Sequence, residues 1–238
     1  MLADSPSTVT FEGGTHNPWA PPFDFLQRSF LPQLKKFGPQ VSATLKSYGF
    51  FPAGGGKFQL EVTPSKAMRG IKLLERGGAL DPRVTAIVSK LPASIAQREL
   101  DTIRRKSNWR WDRFQAVEVQ TPRGPGNVVM IELPFANVTE IIIGFGKIGV
   151  KAEKVARDVY REAKAYLDAD APVGEYLADQ LLMPMGLAAS QGHTSAMRCT
   201  PLSLHSKTHI DVLKLFLEID VEVEESESDA VVTVKPLP

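Results

Sequence analysis

Apolar and polar positions alternate along this chain with two periods, and the places where the period changes mark the elements. Phe25, Leu26, Phe30, Leu31 and Leu34 recur at helical spacing from about Phe23 until Gly38 ends the run. Thr8–Phe11 before it, and Val41, Ala43 and Leu45 after it, alternate every second residue as half-buried strands do. Phe58, Leu60 and Val62 form a further strand behind the triplet Gly54, Gly55 and Gly56, and glycine triplets are commonest as hairpin turns. From about Leu74 the pattern predicts a strand at Val84–Val88, an amphipathic helix at Ser94–Arg105, and strands at Phe114–Val119, Val128–Leu133 and Val138–Ile143. Two helices follow: Val150–Leu167 is charged on one face, whereas Tyr176–Ala188 is apolar nearly all round and is expected to lie deeper. A buried strand from about Thr194 then leads through a short turn into a helix opening with His205, Thr208 and His209, and strands at Val221–Glu224 and Ala230–Lys235 close the chain. No long repeat is visible in the sequence itself.

The glycine-containing stretches 77–82 and 144–149 set off the middle strands, which predicts an inserted α+β domain at 75–146 within a flanking domain made of 1–74 and 147–238. The chain is α/β in class, and with 238 residues, 43% of them apolar, it can bury a sizeable core.

Composition narrows the function classes only a little. Twenty-eight basic and 27 acidic residues leave a net charge of +1, so a polyanion site has to be a local patch. A single cysteine, Cys199, excludes an intramolecular disulfide framework and, with no signal-like N-terminal run, points to a cytoplasmic protein, or a nuclear one in a eukaryote. The longest apolar runs, such as Ile141–Ile143, are too short to cross a bilayer, so no membrane partner is expected.

Four stretches carry candidate chemistry. His205 stands at a strand-to-helix turn, where free N–H groups and the helix dipole favour phosphate, so it is a candidate nucleophile; the competing assignment is a polar residue that closes the turn. Glu175, Asp179 and Gln180 stand in the first turns of the apolar helix, where acids are also favoured simply by the dipole. The loop GGTHNPWAPPFDF, with two glycines and three prolines, is stiff enough to hold a ligand or to serve as a plain connection. RRKSNWRWDR, from Arg104 to Arg113, interleaves five basic residues with Trp109 and Trp111, a combination that contacts RNA or forms a solvated helix end.

Together the stretches GGTHNPWAPPFDF, GFFPAGGG, RGPGN, VGEYLADQLLMPM and LHSKTHI, in that order, resemble the RNA 3′-terminal phosphate cyclases. The resemblance implies repeated units of two helices on a four-stranded sheet, with a smaller thioredoxin-like domain inserted. It implies an enzyme that uses ATP and a divalent ion, Mg or Mn, to convert an RNA 3′-terminal phosphate into a 2′,3′-cyclic phosphate through a histidine–AMP intermediate. The family's His-x-x-Thr pattern falls on His205 and Thr208, which makes His205 the catalytic residue. Nucleotide contacts fall on Tyr176, Leu177, Ala178, Asp179 and Gln180, and on Pro22 and Asp24 in the proline-rich loop; no metal ligand is assigned. Two departures stand out. His209 occupies a position where the family often has a small residue, and two histidines four residues apart could chelate zinc, but no third ligand is evident. The family's N-terminal glycine-rich segment has no counterpart, so the chain is expected to be truncated, with an exposed sheet edge through which it self-associates or loses activity. A non-catalytic cyclase-like RNA-binding protein acting in ribosome assembly and an inactive cyclase fragment are the alternatives.

Overall fold

A computed structural model describes residues 3–237. The first unit is a strand β1 (Ser7–Gly13), a helix α1 (23–36) and two strands, β2 (Gln40–Ser47) and β3 (Gly56–Thr63), in an antiparallel sheet of order β1-β3-β2. Helix α1 is continuous but contains a π-helical turn at Leu26–Phe30. Phe23, Leu31 and Leu34 pack from it onto Val41 and Ala43. Strand β1 pairs only with β3 among the described residues and is exposed along its length, with Val9 and Phe11 facing solvent.

After a short strand β4 (Lys72–Leu73) comes a sheet made of β5 (Arg83–Ser89), β6 (Phe114–Glu118), β7 (Gly126–Pro134) and β8 (Thr139–Phe145), with helix α2 (Ala93–Arg104) crossing from β5 to β6. The order is β6-β5-β7-β8; β5 and β6 are parallel, and the other pairs are antiparallel. Strands β5, β7 and β8 read as almost continuous apolar runs because both faces of the sheet are covered there, whereas the edge strand β6 is largely exposed. Val129, Ile131 and Leu133 of β7 point to α2, while Val128 and Met130 point to the main core on the other side. Helix α3 (Ala152–Ala169), which the sequence groups with the flanking domain, packs on this sheet: Val155, Ala156, Val159, Ala163 and Tyr166 share a core with Val84, Ala86, Leu100 and Ile103. Amphipathic spacing shows that a helix buries one face without showing against what, and here the buried face belongs to the inserted sheet. Arg76 anchors the return of the chain, donating to the carbonyls of Ala171, Leu167 and Tyr166 and lying over the Tyr166 ring at 4.1 Å. A cation placed at the last carbonyls of a helix also complements its dipole.

Helix α4 (Glu175–Ala189), strand β9 (Ser195–Cys199), helix α5 (Leu204–Phe216) and strands β10 (Ile219–Glu225) and β11 (Ala230–Pro236) complete the chain in a sheet of order β10-β11-β9-β4, with β4 parallel to β9. Helix α4 is buried on most sides, and Leu177, Leu181, Leu182 and Met185 sit at the centre of the largest core. The segment β9-α5-β10-β11 repeats the connectivity and strand order of β1-α1-β2-β3. That repeat is carried by topology and escapes notice in the sequence. At β9 the outer position is filled by β4, whereas β1 has no neighbour there among the described residues. No helix among the described residues is long and apolar enough to cross a membrane.

Candidate functional site: a shared carboxylate between two helix starts

Two helices begin at one end of the β9 sheet. Val173 forms a parallel bridge to Cys199, and Thr200 N donates to Val173 O at 2.9 Å, so the chain entering α4 lies beside the chain entering α5. The positive ends of both helix dipoles therefore converge on one place. At α5 the Ser203 Oγ accepts from Ser206 N, a capping bond that fixes where the helix starts and hence where His205 stands. At α4, Gly174 N donates to the buried carboxylate of Glu140 at 2.8 Å, and a Cβ on residue 174 would fall 2.7 Å from Glu140 Oε2. Burial pushes the Glu140 carboxyl up to about 7 against the pull of the Gly174 and Ile141 N–H groups and of Arg76.

Across this junction, Asp179 Oδ1 lies 2.9 Å from His205 Nδ1 and 3.1 Å from His209 Nδ1. A carboxylate only accepts, so both imidazoles present Nδ1–H to the same oxygen and each keeps its Nε2 lone pair for other partners. The two rings differ in access: the His205 side chain is 80% exposed and that of His209 21%. His205 thus projects its outer ring nitrogen into solvent at the start of α5, while His209 braces Asp179 from the partly buried side. The sequence placed His209 outside the site; its spacing of one helical turn from His205 was the signal that both could reach one acidic residue on a neighbouring helix.

Of the five residues in the Tyr176–Gln180 stretch, Tyr176, Asp179 and Gln180 lie on the outer side of α4 at i, i+3 and i+4. Leu177 and Ala178 are buried in the main core, so their side chains are unavailable to a nucleotide. The Tyr176 ring is exposed beside a cavity of about 500 Å³ whose walls include Ile141, Ile143, Tyr166 and Pro201, with Glu140, Glu162, Glu175 and Thr200 as polar groups.

Pro22 and Asp24 belong to a second, buried cluster. Pro22 precedes the first turn of α1, and Asp24 Oδ2 pairs with His16 Nε2 at 3.1 Å while Oδ1 meets Arg28 at 3.3 Å. Burial by itself would raise Asp24, but the hydrogen bond and charge of His16, with Arg28, hold it below the usual carboxylate range. Arg28 continues to Glu132 of β7 at 3.1 Å, which ties the proline-rich loop to the inserted sheet. His16 is fully buried, with Nδ1 2.8 Å from Thr15 Oγ1 and its ring against Tyr48 and Phe50. The sequence did not single out His16. The stretch GFFPAGGG explains itself here, since Gly49 O accepts from Thr15 N and His16 N and a Cβ on Gly49 would fall 2.3 Å from Gly56 N. Its glycines let three backbone segments touch and so hold the His16 loop in place.

Among the described residues no three His, Cys, Asp or Glu side chains converge to hold a metal ion.

A helix start offers free N–H groups and the positive end of its dipole, which favour phosphate. Comparison with known proteins makes this specific. The family described as RNA 3′-terminal phosphate cyclase matches residues 1–223, and the chain belongs to that family. Relatives named RNA 3′-terminal phosphate cyclase include one from Koribacter versatilis, 42% identical over 230 residues that cover 97% of this chain and 64% of that protein. Others are from Ectopseudomonas mendocina, 39% identical over 93% of this chain and 63% of the relative, and Pseudomonas fluorescens, 40% identical over 93% and 64%. The chain thus spans just under two thirds of the length of these curated relatives.

Proposed function

We propose that this chain carries the nucleotidyl-transfer centre of an RNA 3′-terminal phosphate cyclase, with His205 as the nucleophile. The observation that carries the proposal is the 2.9 Å contact between His205 Nδ1 and Asp179 Oδ1 on a ring whose other nitrogen is open to solvent. With Nδ1–H held by Asp179, Nε2 attacks the α-phosphorus of ATP; the N–P bond forms as the P–O bond to pyrophosphate breaks. The ring gains positive charge in that step, and the carboxylate already beside it offsets the gain without moving. The AMP group then passes from Nε2 to the RNA 3′-phosphate, the N–P bond breaks, and the adjacent 2′-hydroxyl attacks the activated phosphate and expels AMP, leaving a 2′,3′-cyclic end.

Tyr176 supplies a face for the base, Gln180 a donor beside it, and the starts of α4 and α5 the N–H groups that receive phosphate oxygens. Pro22 and Asp24 act at one remove, by keeping the His16 loop and α1 in place. The residues here do not by themselves form a metal site, so the proposal routes no step through one.

An RNA oligonucleotide ending in a 3′-phosphate tests the activity. With ATP, its end is expected to become resistant to phosphatase in the presence of this chain and to remain sensitive with His205→Ala. Equal conversion by both would remove His205 from the reaction.

A further inference from the structure

We infer that the inserted sheet's outer helix, α3, carries a track for single-stranded RNA. Helix α3 displays Lys154, Arg157, Arg161 and Lys164 along one stripe, spaced by three or four residues and about 15 Å long. The stripe forms one wall of an open groove of about 670 Å³, and Lys106 stands on the opposite wall. The two walls are locked together, because Tyr160 donates its hydroxyl to Lys106 O and Trp109 packs edge-on against the Tyr160 ring at 5.9 Å between centroids.

Charge in the groove is unbalanced in a chain whose net charge is only +1. Asp158 neutralises Lys154 and Arg161 at 2.9 and 3.1 Å. Lys106, Arg157 and Lys164 have no ion-pair partner among the described residues, and with Asp168 also on the lining the groove carries five cations against two carboxylates. A polyanion is the partner this complements. Trp111, five residues along the chain from Lys106, is 78% exposed, and a tryptophan that open offers its face to a base. Basic residues with an exposed indole nearby match single-stranded nucleic acid, which offers a phosphate and a flat base in every unit.

Ala165 lines both the groove and the cavity beside Tyr176, so one helix borders the two. The choice of RNA as the polyanion rests on the proposed function, but the binding itself needs neither ATP nor His205.

Fluorescence anisotropy of a labelled single-stranded RNA, without ATP and over a salt series, tests the track. Replacing Lys106, Arg157 and Lys164 together by alanine is expected to weaken binding at least tenfold and to reduce the slope of log Kd against log salt by about 2, at roughly 0.7 for each phosphate left without its cation. Trp111→Ala is expected to weaken binding while leaving that slope unchanged. Circular dichroism melting checks that the variants fold, and since none of these residues is in the core, their melting should match the parent. Unchanged affinity and slope in the folded triple variant would overturn the inference. So would anionic phosphatidylserine vesicles that bind the parent as tightly as RNA does with the same dependence on the three cations.

Discussion

Asp179 Oδ1 accepts from the Nδ1–H of both His205 and His209, at 2.9 and 3.1 Å, so a single carboxylate oxygen orients two rings one helical turn apart on α5. Sharing has a consequence for variants. Removing the carboxylate charge releases both rings, whereas removing His209 releases only the brace.

Asp179→Asn is therefore expected to slow covalent labelling from ATP by about a hundredfold, since an orienting carboxylate sets both the tautomer and the charge balance of its histidine. Half-saturating ATP should barely change, because Asp179 acts through the ring and does not hold the nucleotide. His209→Ala should produce a smaller loss of the same kind. Single-turnover labelling across an ATP series separates the two effects; a large rise in half-saturating ATP with an unchanged maximal rate would instead place Asp179 on the nucleotide.

Adjacent residues of α4 should fail in opposite ways. Tyr176→Ala removes an exposed ring and is expected to cost about 1–3 kcal/mol of nucleotide binding, roughly five- to hundredfold, with little change in stability. Leu177→Ala opens the main core and is expected to cost about 2–5 kcal/mol of folding stability with nucleotide affinity retained in the folded fraction. Urea titration and nucleotide binding, measured on both variants, check the contrast.

Two buried carboxyl groups make stability depend on pH. Glu99 Oε2 accepts from Asn127 Nδ2 at 2.9 Å but Oε1 has no partner, and burial pushes the group up to about 7 from its ordinary 4.5. Between those values the unfolded chain has released a proton that the folded chain retains, so stability falls as pH rises through this window and is level above it. For Glu99 the fall amounts to about 3 kcal/mol, and Glu140 contributes in the same direction. Glu99→Gln should remove about that much of the difference in stability between pH 5 and pH 8. Urea midpoints at the two pH values check this, and an unchanged difference would show that Glu99 ionises freely in the folded protein.

Much of the fold was legible because periodicity reports which residues are buried. The bounds of α2, of α4 and of the long strands follow the apolar pattern within a residue or two. Partners were less legible. Helix α3 has the same amphipathic spacing whether it covers the inserted sheet or the flanking one, and strand β4 is two residues long, too short to show any period. The position of His205 at a helix start was legible because a strand, turn and helix in succession is a local pattern, whereas its assignment as the catalytic residue rested on the resemblance. The sharing of Asp179 could not, since it depends on Val173 lying beside Cys199, a contact between residues 26 positions apart. Leu177 and Ala178 show the opposite error: a contiguous motif is a stretch of sequence, but a helix presents only some of its residues to any one side. His16 went unnoticed because its partner, Asp24, is eight residues away across a proline-rich loop and no regular spacing connects them.

The central claim is that Nε2 of His205 takes AMP from ATP. Incubating the chain with ATP labelled at the α-phosphate and mapping the modified peptide by mass spectrometry tests it directly. The account predicts an acid-labile adenylyl group on the peptide containing His205, lost in His205→Ala and retained in His209→Ala. Label on His209, or on any residue other than His205, would contradict it.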